Sequence, residues 1–391
     1  QGQNGGSQAQ GGSLDLRAVL MIRLRLPPVH GHAPQHAGAF LLLCFALLLA
    51  GCGEKAETPG WTEEHKGANP PPSGEQRPLA GAPDPREGPP AAPTGTGAIQ
   101  PTSVTEPVKR LRFLSYNIRN YLTMSRFVDG ERKDRRKPAR EVEALVRIIV
   151  DAKPDVLGIC EIGTEQDLTE LQGKLSEGGL DLPHRSYASG ADETRRLALL
   201  SRYPIITSNS AGAGGSLTYQ SIDADNHPKE FSMQRGILDA TVEVGVRQFR
   251  FLGVHLKSKR EVPEGHQDLM RRHEAYLLRK HADRILEDNP QALLCVYGDL
   301  NDTRRESPVR SIQGPTQSTR YLEPLSHKDS RGAVWTHYWD YQHVYSRFDY
   351  VLASRALRPL FNQTDSHIVD DPSWSTASDH RALLTIFNLQ P

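Results

Sequence analysis

Apolar and polar positions along this chain follow three different patterns. Residues 39–50 form an unbroken apolar run, Ala-Phe-Leu-Leu-Leu-Cys-Phe-Ala-Leu-Leu-Leu-Ala. Residues 53–107 hold almost no large apolar side chains but 12 of the chain's 28 prolines. From Leu111 onward the pattern becomes periodic. Leu111 to Ile118 reads as a strand, Val156 to Cys160 as a buried strand, and Leu197 to Leu200 as a short one closed by Ser201-Arg202-Tyr203-Pro204. Between the first two, Val142, Leu145, Val146 and Ile149 recur at the spacing of an amphipathic helix over Ala139 to Ala152, which Pro154 ends. Further helices are expected over Glu165 to Leu175 and Gln267 to Leu286. Ile237 to Val244 and Phe249 to Val254, joined by Gly245-Val246-Arg247, predict a hairpin. Ala292 to Val296, Phe348 to Ala353 and Ala382 to Phe387 complete the strands. Helices mixed with hairpin-linked strands imply an α/β layered domain over residues 109–391 with much antiparallel pairing.

Charge narrows the partners. Lys+Arg and Asp+Glu both number 47, so a basic coat or an acidic tail is excluded as a global feature. Residues 109–391 carry 40 Lys+Arg against 38 Asp+Glu, a net of +2. Polyanion binding therefore needs a local patch, for which Arg132-Lys133-Asp134-Arg135-Arg136-Lys137 is one candidate and a solvated loop the plainer reading. Of the four cysteines, Cys160 and Cys295 fall in buried strands and read as free core thiols. No cysteine has zinc-site spacing.

The apolar run at 39–50 is too short to span a hydrocarbon core of about 30 Å as a helix. It fits the apolar region of a secretory signal, with Arg23 and Arg25 as its basic flank. Leu49-Ala50-Gly51-Cys52 resembles the lipobox of bacterial lipoproteins, which implies cleavage before Cys52 and a lipid on that residue. A plain secretory signal is the alternative. Residues 1–51 are thus expected to be an upstream extension plus signal peptide, with Met21 a plausible start. Residues 52–108 are expected to be a lipidated cysteine and a proline- and glycine-rich tether that cannot bury enough surface to fold. The expected location is the bacterial cell envelope, with the domain anchored to the membrane.

Polar groups recur where the apolar runs stop. Asn117 lies in Ser-Tyr-Asn-Ile-Arg, Glu161 follows Val-Leu-Gly-Ile-Cys, and His255 follows Phe-Leu-Gly-Val, with Lys257 two residues on. Asp299 and Asn301 stand in Tyr-Gly-Asp-Leu-Asn, Asp349 in Phe-Asp-Tyr-Val-Leu, and Asp379-His380 before the last strand. Strand ends on one rim of a sheet converge, so these groups can share a cleft suited to metal-assisted attack on a phosphate. Singly, each has a duller reading: a strand-end cap for Asn117, a loop acid for Glu161, a core histidine for His255, an ion pair with Arg347 for Asp349.

In this order the motifs resemble the endonuclease/exonuclease/phosphatase superfamily, in its deoxyribonuclease and exonuclease III-like branch, over residues 110–389. The resemblance implies a four-layer α/β/β/α sandwich of two mostly antiparallel sheets flanked by helices. It implies hydrolysis of phosphoesters with Mg²⁺ or Mn²⁺. Glu161, Asn117 and Asp379 would hold the metal, and Asp299 would orient or deprotonate the attacking water. Asn301 would bind phosphoryl oxygens. His380, braced by Asp349, would transfer protons, with His255 on the opposite side of the phosphate. Arg235 and Tyr187 are weaker candidates for substrate contact.

Flanking residues bear on the substrate. The resemblance places tryptophan before Gly-Asp-x-Asn in inositol-phosphate phosphatases, whereas this chain has Tyr297. Arg381-Ala382 departs from the apurinic-site endonuclease pattern after Ser-Asp-His. Sphingomyelinases use an exposed aromatic hairpin, which the loop 258–268 does not offer. A nucleic-acid substrate, a monomer and no protein partner are the resulting expectations. A phosphoesterase acting on a phospholipid or small metabolite, and a surface binding module without catalysis, remain the alternatives.

Overall fold

The computed structural model describes residues 108–390. The signal-like run, Cys52 and the tether lie outside the described residues, so the expectations for them are untouched here.

The chain opens with strand β1 (Arg110–Tyr121), hairpin β2 (Met124–Val128) and β3 (Glu131–Arg135), helix α1 (Ala139–Ala152) and β4 (Val156–Ile162). Helix α2 (Glu165–Glu177) leads to β5 (His184–Ala188), β6 (Arg196–Ser201) and β7 (Ile205–Ser208). Hairpin β8 (Thr218–Ile222) and β9 (Pro228–Ser232) precedes β10 (Leu238–Val244) and β11 (Arg247–His255). Helix α3 (Gln267–Asp288), β12 (Leu293–Asp299), helix α4 (Ser307–Gln313) and β13 (Glu323–Pro324) follow. Hairpin β14 (His337–Trp339) and β15 (Val344–Ser346), then β16 (Asp349–Ala353), β17 (His367–Ile368), helix α5 (Trp374–Ala377) and β18 (Leu383–Asn388) complete it.

Two six-stranded sheets form, in the orders β17-β18-β1-β4-β6-β5 and β13-β16-β12-β11-β10-β7. Every neighbour pair is antiparallel except β1/β4 in the first sheet and β11/β12 in the second. Each sheet therefore has one parallel pair near its middle, and Asn117, Glu161, His255 and Asp299 lie on those two pairs.

Alternation along β1 shows how the layers arise. Leu111 and Phe113 face a core shared with Phe249, Phe251, Tyr297 and Phe387 of other strands. Leu114, Tyr116 and Ile118 face the opposite way, against Leu145 and Ile149 of α1 and Leu168 and Leu171 of α2. A third core packs Leu252, Val254 and Val296 of the second sheet under Leu278 and Ile285 of α3. Period-two strands buried on both faces give helix, sheet, sheet, helix, the expected four layers. The inner layer is tight: Phe113 lies 4.8 Å from Phe251 and edge-on to Tyr297 at 5.0 Å, ring centre to ring centre. A Cβ on Gly158 would sit 2.2 Å from the Tyr297 ring, so glycine is what lets that ring bridge the sheets.

Most expected elements form with longer ends. The first strand runs on to Tyr121, and the fourth reaches Ile162, past Glu161. Helix α1 stops at Ala152 with Lys153 in a left-handed conformation just before Pro154. Helix α2 starts on a reciprocal cap between Thr164 and Asp167. The 132–137 run is not a free loop: its first four residues pair in the β2/β3 hairpin. Cys160 and Cys295 are buried free thiols, as expected.

Candidate active site

The C-terminal ends of the two parallel pairs supply the candidate groups. In the first sheet Asn117 is in register with Cys160, which places Glu161 one residue beyond it. In the second, His255 is in register with Asp299 across the parallel pair, and Asp299 with Asp349 across the antiparallel one. Asp299 thus has a histidine on one neighbouring strand and a second carboxylate on the other. His380 arrives from the loop before β18, held by its N–H to Ser378 Oγ at 3.1 Å; that hydroxyl donates to the Asn117 carbonyl at 2.8 Å.

Asp299 is the hub. Its Oδ2 accepts the Asn117 amide at 3.0 Å, linking the two sheets, and its Oδ1 accepts the Asn301 N–H at 2.8 Å. The Nε2 atoms of His255 and of His380 each lie 3.6 Å from Oδ2. His380 Nδ1 meets Asp349 Oδ2 at 2.7 Å, and the Asp349 N–H is anchored on Thr336 Oγ1 at 3.0 Å. Glu161 accepts the Asn120 N–H at 2.9 Å and the Asn117 amide at 3.3 Å. Arg347 does not pair with the Asp349 carboxylate: its Nε donates to the Asp349 carbonyl at 2.8 Å.

Burial sets the protonation pattern. It pushes the Asp299 carboxyl up, to about 7, against the pull of His380. Burial opposes a charged His380 as well, but the Asp349 and Asp299 carboxylates outweigh it and hold that imidazole well above the ordinary histidine value. Burial, reinforced by the Arg235 guanidinium, pushes His255 well below it. Burial also works against the Glu161 carboxylate; the pull of His255 counts only while that ring is protonated, and with His255 neutral the Arg195 guanidinium 3.8 Å away is the cation that holds this acid down.

Backbone strain gathers here. Among the described residues, eight non-glycine positions have positive φ, and four of them are Arg119, Asn120, Glu161 and Asn301. Such conformations cost about 1–3 kcal/mol each and persist where surrounding contacts enforce them. Gly298, at φ +130°, admits no side chain at all, because a Cβ would lie 1.9 Å from the Val254 carbonyl oxygen.

The structure brings Asn117, Glu161, His255, Asp299, Asp349 and His380 together. Asp379 stands at the rim, partly exposed, with Arg119 Nε 3.5 Å from its carboxylate. Asn301 is adjacent, but one of its amide N–H groups is spent on the Leu256 carbonyl at 3.0 Å. Arg235 is buried, pairs with Asp192 at 3.1 Å, and keeps Nε and Nη1 without partners. Tyr187 packs on the helix side of the first sheet, and its hydroxyl donates to the Gly163 carbonyl at 2.7 Å. That bond braces the turn after Glu161.

Sequence reasoning missed four contributors. Arg195 lies 3.8 Å from Glu161, and Arg119 faces Asp379. Thr336 anchors the Asp349 strand, and Asp302 ties the turn after Asp299 to α3 through Arg271 at 2.9 Å. Arg119 and Asp302 sat inside or beside the motifs already singled out, while Thr336 carries no local signal.

The donors are mostly hard oxygens in charge surplus. Among the described residues, Glu161, Asp299, Asp349 and Asp379 face two arginines at ion-pair distance, Arg119 and Arg195. A divalent cation that prefers carboxylate oxygens fits such a set, with Glu161 already ionised and held by backbone and amide bonds. A cleft of about 700 Å³ lined by Arg112, Asp151, Lys328 and His367 includes none of these residues, whereas a groove of about 440 Å³ opens onto Ser378 and Asp379.

The chain is similar to several solved structures. A truncated TDP2 from Caenorhabditis elegans is 20% identical over 71% of this chain and 98% of its own, with a TM-score of 0.47. Sphingomyelinase C from Streptomyces griseocarneus is 16% identical over 72% and 100%, with a TM-score of 0.48. The human nocturnin catalytic domain with bound sulfate is 18% identical over 72% and 96%, with a TM-score of 0.47. No curated protein matches the sequence. The family model "Endonuclease/Exonuclease/phosphatase family" matches residues 114–380, a span that runs from β1 to the last catalytic candidate. The chain belongs to the endonuclease/exonuclease/phosphatase family.

Proposed function

We propose that the protein is a divalent-metal-dependent phosphodiester hydrolase, a nuclease held at the bacterial cell envelope by a lipid on Cys52. Family membership supports phosphoester hydrolysis. The observation that carries the reading of the site is the buried Asp299 carboxylate set between His255 and His380, with His380 braced by Asp349.

The roles follow from the protonation pattern. Asp299, with its pKa raised towards neutrality, suits acceptance of the proton from an attacking water. His380, kept protonated by its carboxylates, sets positive charge against the phosphoryl oxygens as they gain negative charge. His255, kept neutral, approaches Asp299 from the neighbouring strand, and the protonated His380 is the group able to return a proton to the leaving oxygen. Asn117 and Asn301 fix the Asp299 oxygens, and Asn301 has a second amide N–H to offer the phosphate. Glu161, with Asn117 and Asp379 beside it, is the place for Mg²⁺ or Mn²⁺. Bound there, the cation supplies Lewis-acid neutralisation of phosphate charge.

The test is hydrolysis of DNA, RNA, phospholipid vesicles and inositol phosphates by the purified chain, with Mg²⁺ or Mn²⁺ and with EDTA. Cleavage of nucleic acid that EDTA abolishes, and that Asp299→Ala and His380→Ala each reduce by about 10²-fold or more, is the expected result. Turnover confined to lipid or inositol phosphates contradicts the nuclease reading. Lipidation has its own check: Cys52→Ala should move the protein from the membrane to the soluble fraction.

A further inference from the structure

Beside the catalytic cluster stands an aromatic surface that the proposed chemistry does not use. Hairpin β14/β15 is fastened to the His380 loop: the Tyr338 N–H donates to the Asp379 carbonyl at 3.0 Å, and the Arg381 N–H to the Thr336 carbonyl at 2.7 Å. The His337 ring lies 4.7 Å from that of His380. Behind the hairpin, Trp335 packs on Trp374 at 5.1 Å and on Tyr345 at 4.8 Å, with the Arg381 guanidinium over its ring at 4.2 Å. Tyr338 stacks on Tyr345 at 4.5 Å. These contacts pack the scaffold and leave Trp339 48% and Tyr341 84% exposed, 6.1 Å apart. With Tyr338, Trp374 and Arg119 they line the 440 Å³ groove that ends at Ser378 and Asp379.

The wall carrying Arg119 continues into a basic element. Lys137 donates to the Arg119 carbonyl at 3.0 Å, and Arg126 to the Asn120 carbonyl at 2.8 Å. Of the cations between Met124 and Lys137, Lys137 is buried against Glu141, Arg136 pairs with Asp167 and Glu170, and Lys133 with Glu131, which leaves Arg132 and Arg135 exposed on β3 and Arg126 half-buried on β2 without an acidic partner among the described residues. Aromatic faces and a cationic track meet at one catalytic rim, which is the combination that holds an unpaired nucleic-acid strand.

We propose that the groove formed by Trp339, Tyr341 and Trp374 stacks an unpaired base of a single-stranded nucleic acid while β2/β3 carries its phosphates, an assignment that rests on the nuclease reading above. A lipid bilayer fits the same hairpin less well. Its apex sets the exposed Tyr341 among Asp340, Gln342 and His343, with the His343 ring held by the Tyr338 hydroxyl at 2.6 Å, and Val344 is its single aliphatic residue. Burying that apex in acyl chains would strip water from polar groups that gain no partner there.

The experiment compares two labelled decamers by fluorescence anisotropy in EDTA, which blocks cleavage: oligothymidylate, and an all-abasic strand with the same phosphodiester backbone. The full chain should bind the thymidine strand about 10-fold more tightly or better. In Trp339→Ala/Tyr341→Ala that ratio should fall to about one, and Trp339→Phe/Tyr341→Phe, which keeps two rings, should restore most of it. An unchanged ratio in the alanine variant of a protein that still cuts DNA overturns the stacking site and leaves the nuclease reading standing. Failure to bind or cut any strand, with hydrolysis of phosphatidylcholine or sphingomyelin vesicles lost in the alanine variant, overturns both and makes a bilayer the occupant.

Discussion

Two aspartate–histidine pairs, each built on a buried aspartate, have almost the same length and opposite surroundings. Asp349 meets His380 at 2.7 Å, and Asp239 on β10 meets His281 on α3 at 2.8 Å. Asp239 also takes both arms of the Arg250 guanidinium, at 2.7 and 2.6 Å. Burial alone would raise its pKa, but the bonds from Arg250 and His281 outweigh that and hold it below the usual value. That pair is closed: its charge is matched and its acceptor oxygens are filled. The Asp349–His380 pair instead sits next to Asp299, itself raised to about 7, in a cluster of carboxylates with too few cations. A short Asp–His distance therefore does not mark a catalytic site. Unmatched charge beside it does, because only an unmatched site gains when substrate or cation arrives.

The largest expected difference is kinetic. Asp349→Asn should lower kcat/KM about 10²- to 10⁴-fold with little change in Tm, whereas Asp239→Asn should leave the rate near wild type. Stability should show the reverse. Asp239→Asn leaves Arg250 and His281 facing a neutral amide and should cost roughly 2–4 kcal/mol in urea unfolding, reduced because both partners are partly exposed.

A cation sharpens the contrast. At a hundredfold excess over its Kd, Mg²⁺ or Mn²⁺ should stabilise the wild-type protein by about 2.7 kcal/mol at pH 7, read as a rise in Tm. Glu161→Gln should lose most of that increment, and Asp239→Asn should keep it.

A third buried histidine isolates the effect of pH. His327 is fully enclosed, with Nε2 2.9 Å from Thr385 Oγ1 and Nδ1 3.2 Å from the Leu325 carbonyl. Burial, reinforced by Arg347, pushes it down to about 3. The folded state thus keeps it neutral while the unfolded chain protonates near pH 6.5, so stability is full above 6.5 and falls as pH drops towards 3. Roughly 2 kcal/mol should be lost between pH 6.5 and 5 from this residue, and His327→Gln should flatten that part of the profile.

The smallest effect separates a brace from a substrate contact. Tyr187→Phe removes the hydroxyl bond to the Gly163 carbonyl and should cost about 1 kcal/mol with KM unchanged. A raised KM would restore Tyr187 to the cleft.

These contrasts also explain what was legible beforehand. Glu161, His255 and Asp299 each stand just after an unbroken apolar run, and Asn117 after a strand pattern broken by Arg112 and Ser115, so a linear reading finds them and places them at strand ends. That the ends meet depends on two parallel pairings, β1 with β4 and β11 with β12, which no local pattern encodes. Asp239 was invisible for the same reason, since its partners are 11 and 42 residues away. Hairpin β2/β3 has no apolar face to read. The loop 258–268 offers no aromatic hairpin, but an exposed one lies at 337–346, which removes the lack of such a hairpin as a ground against a lipid substrate; Tyr338, Trp339, Tyr341 and Tyr345 are interspersed there with polar residues and lack the alternation of a strand.

The most direct test is phosphodiester hydrolysis by Asp349→Asn and Asp239→Asn, assayed side by side with saturating Mg²⁺ or Mn²⁺ at one temperature below both melting points. The account predicts a loss of about 10²-fold or more in the first and a near wild-type rate in the second. Equal losses, or a fully active Asp349→Asn protein, would contradict it.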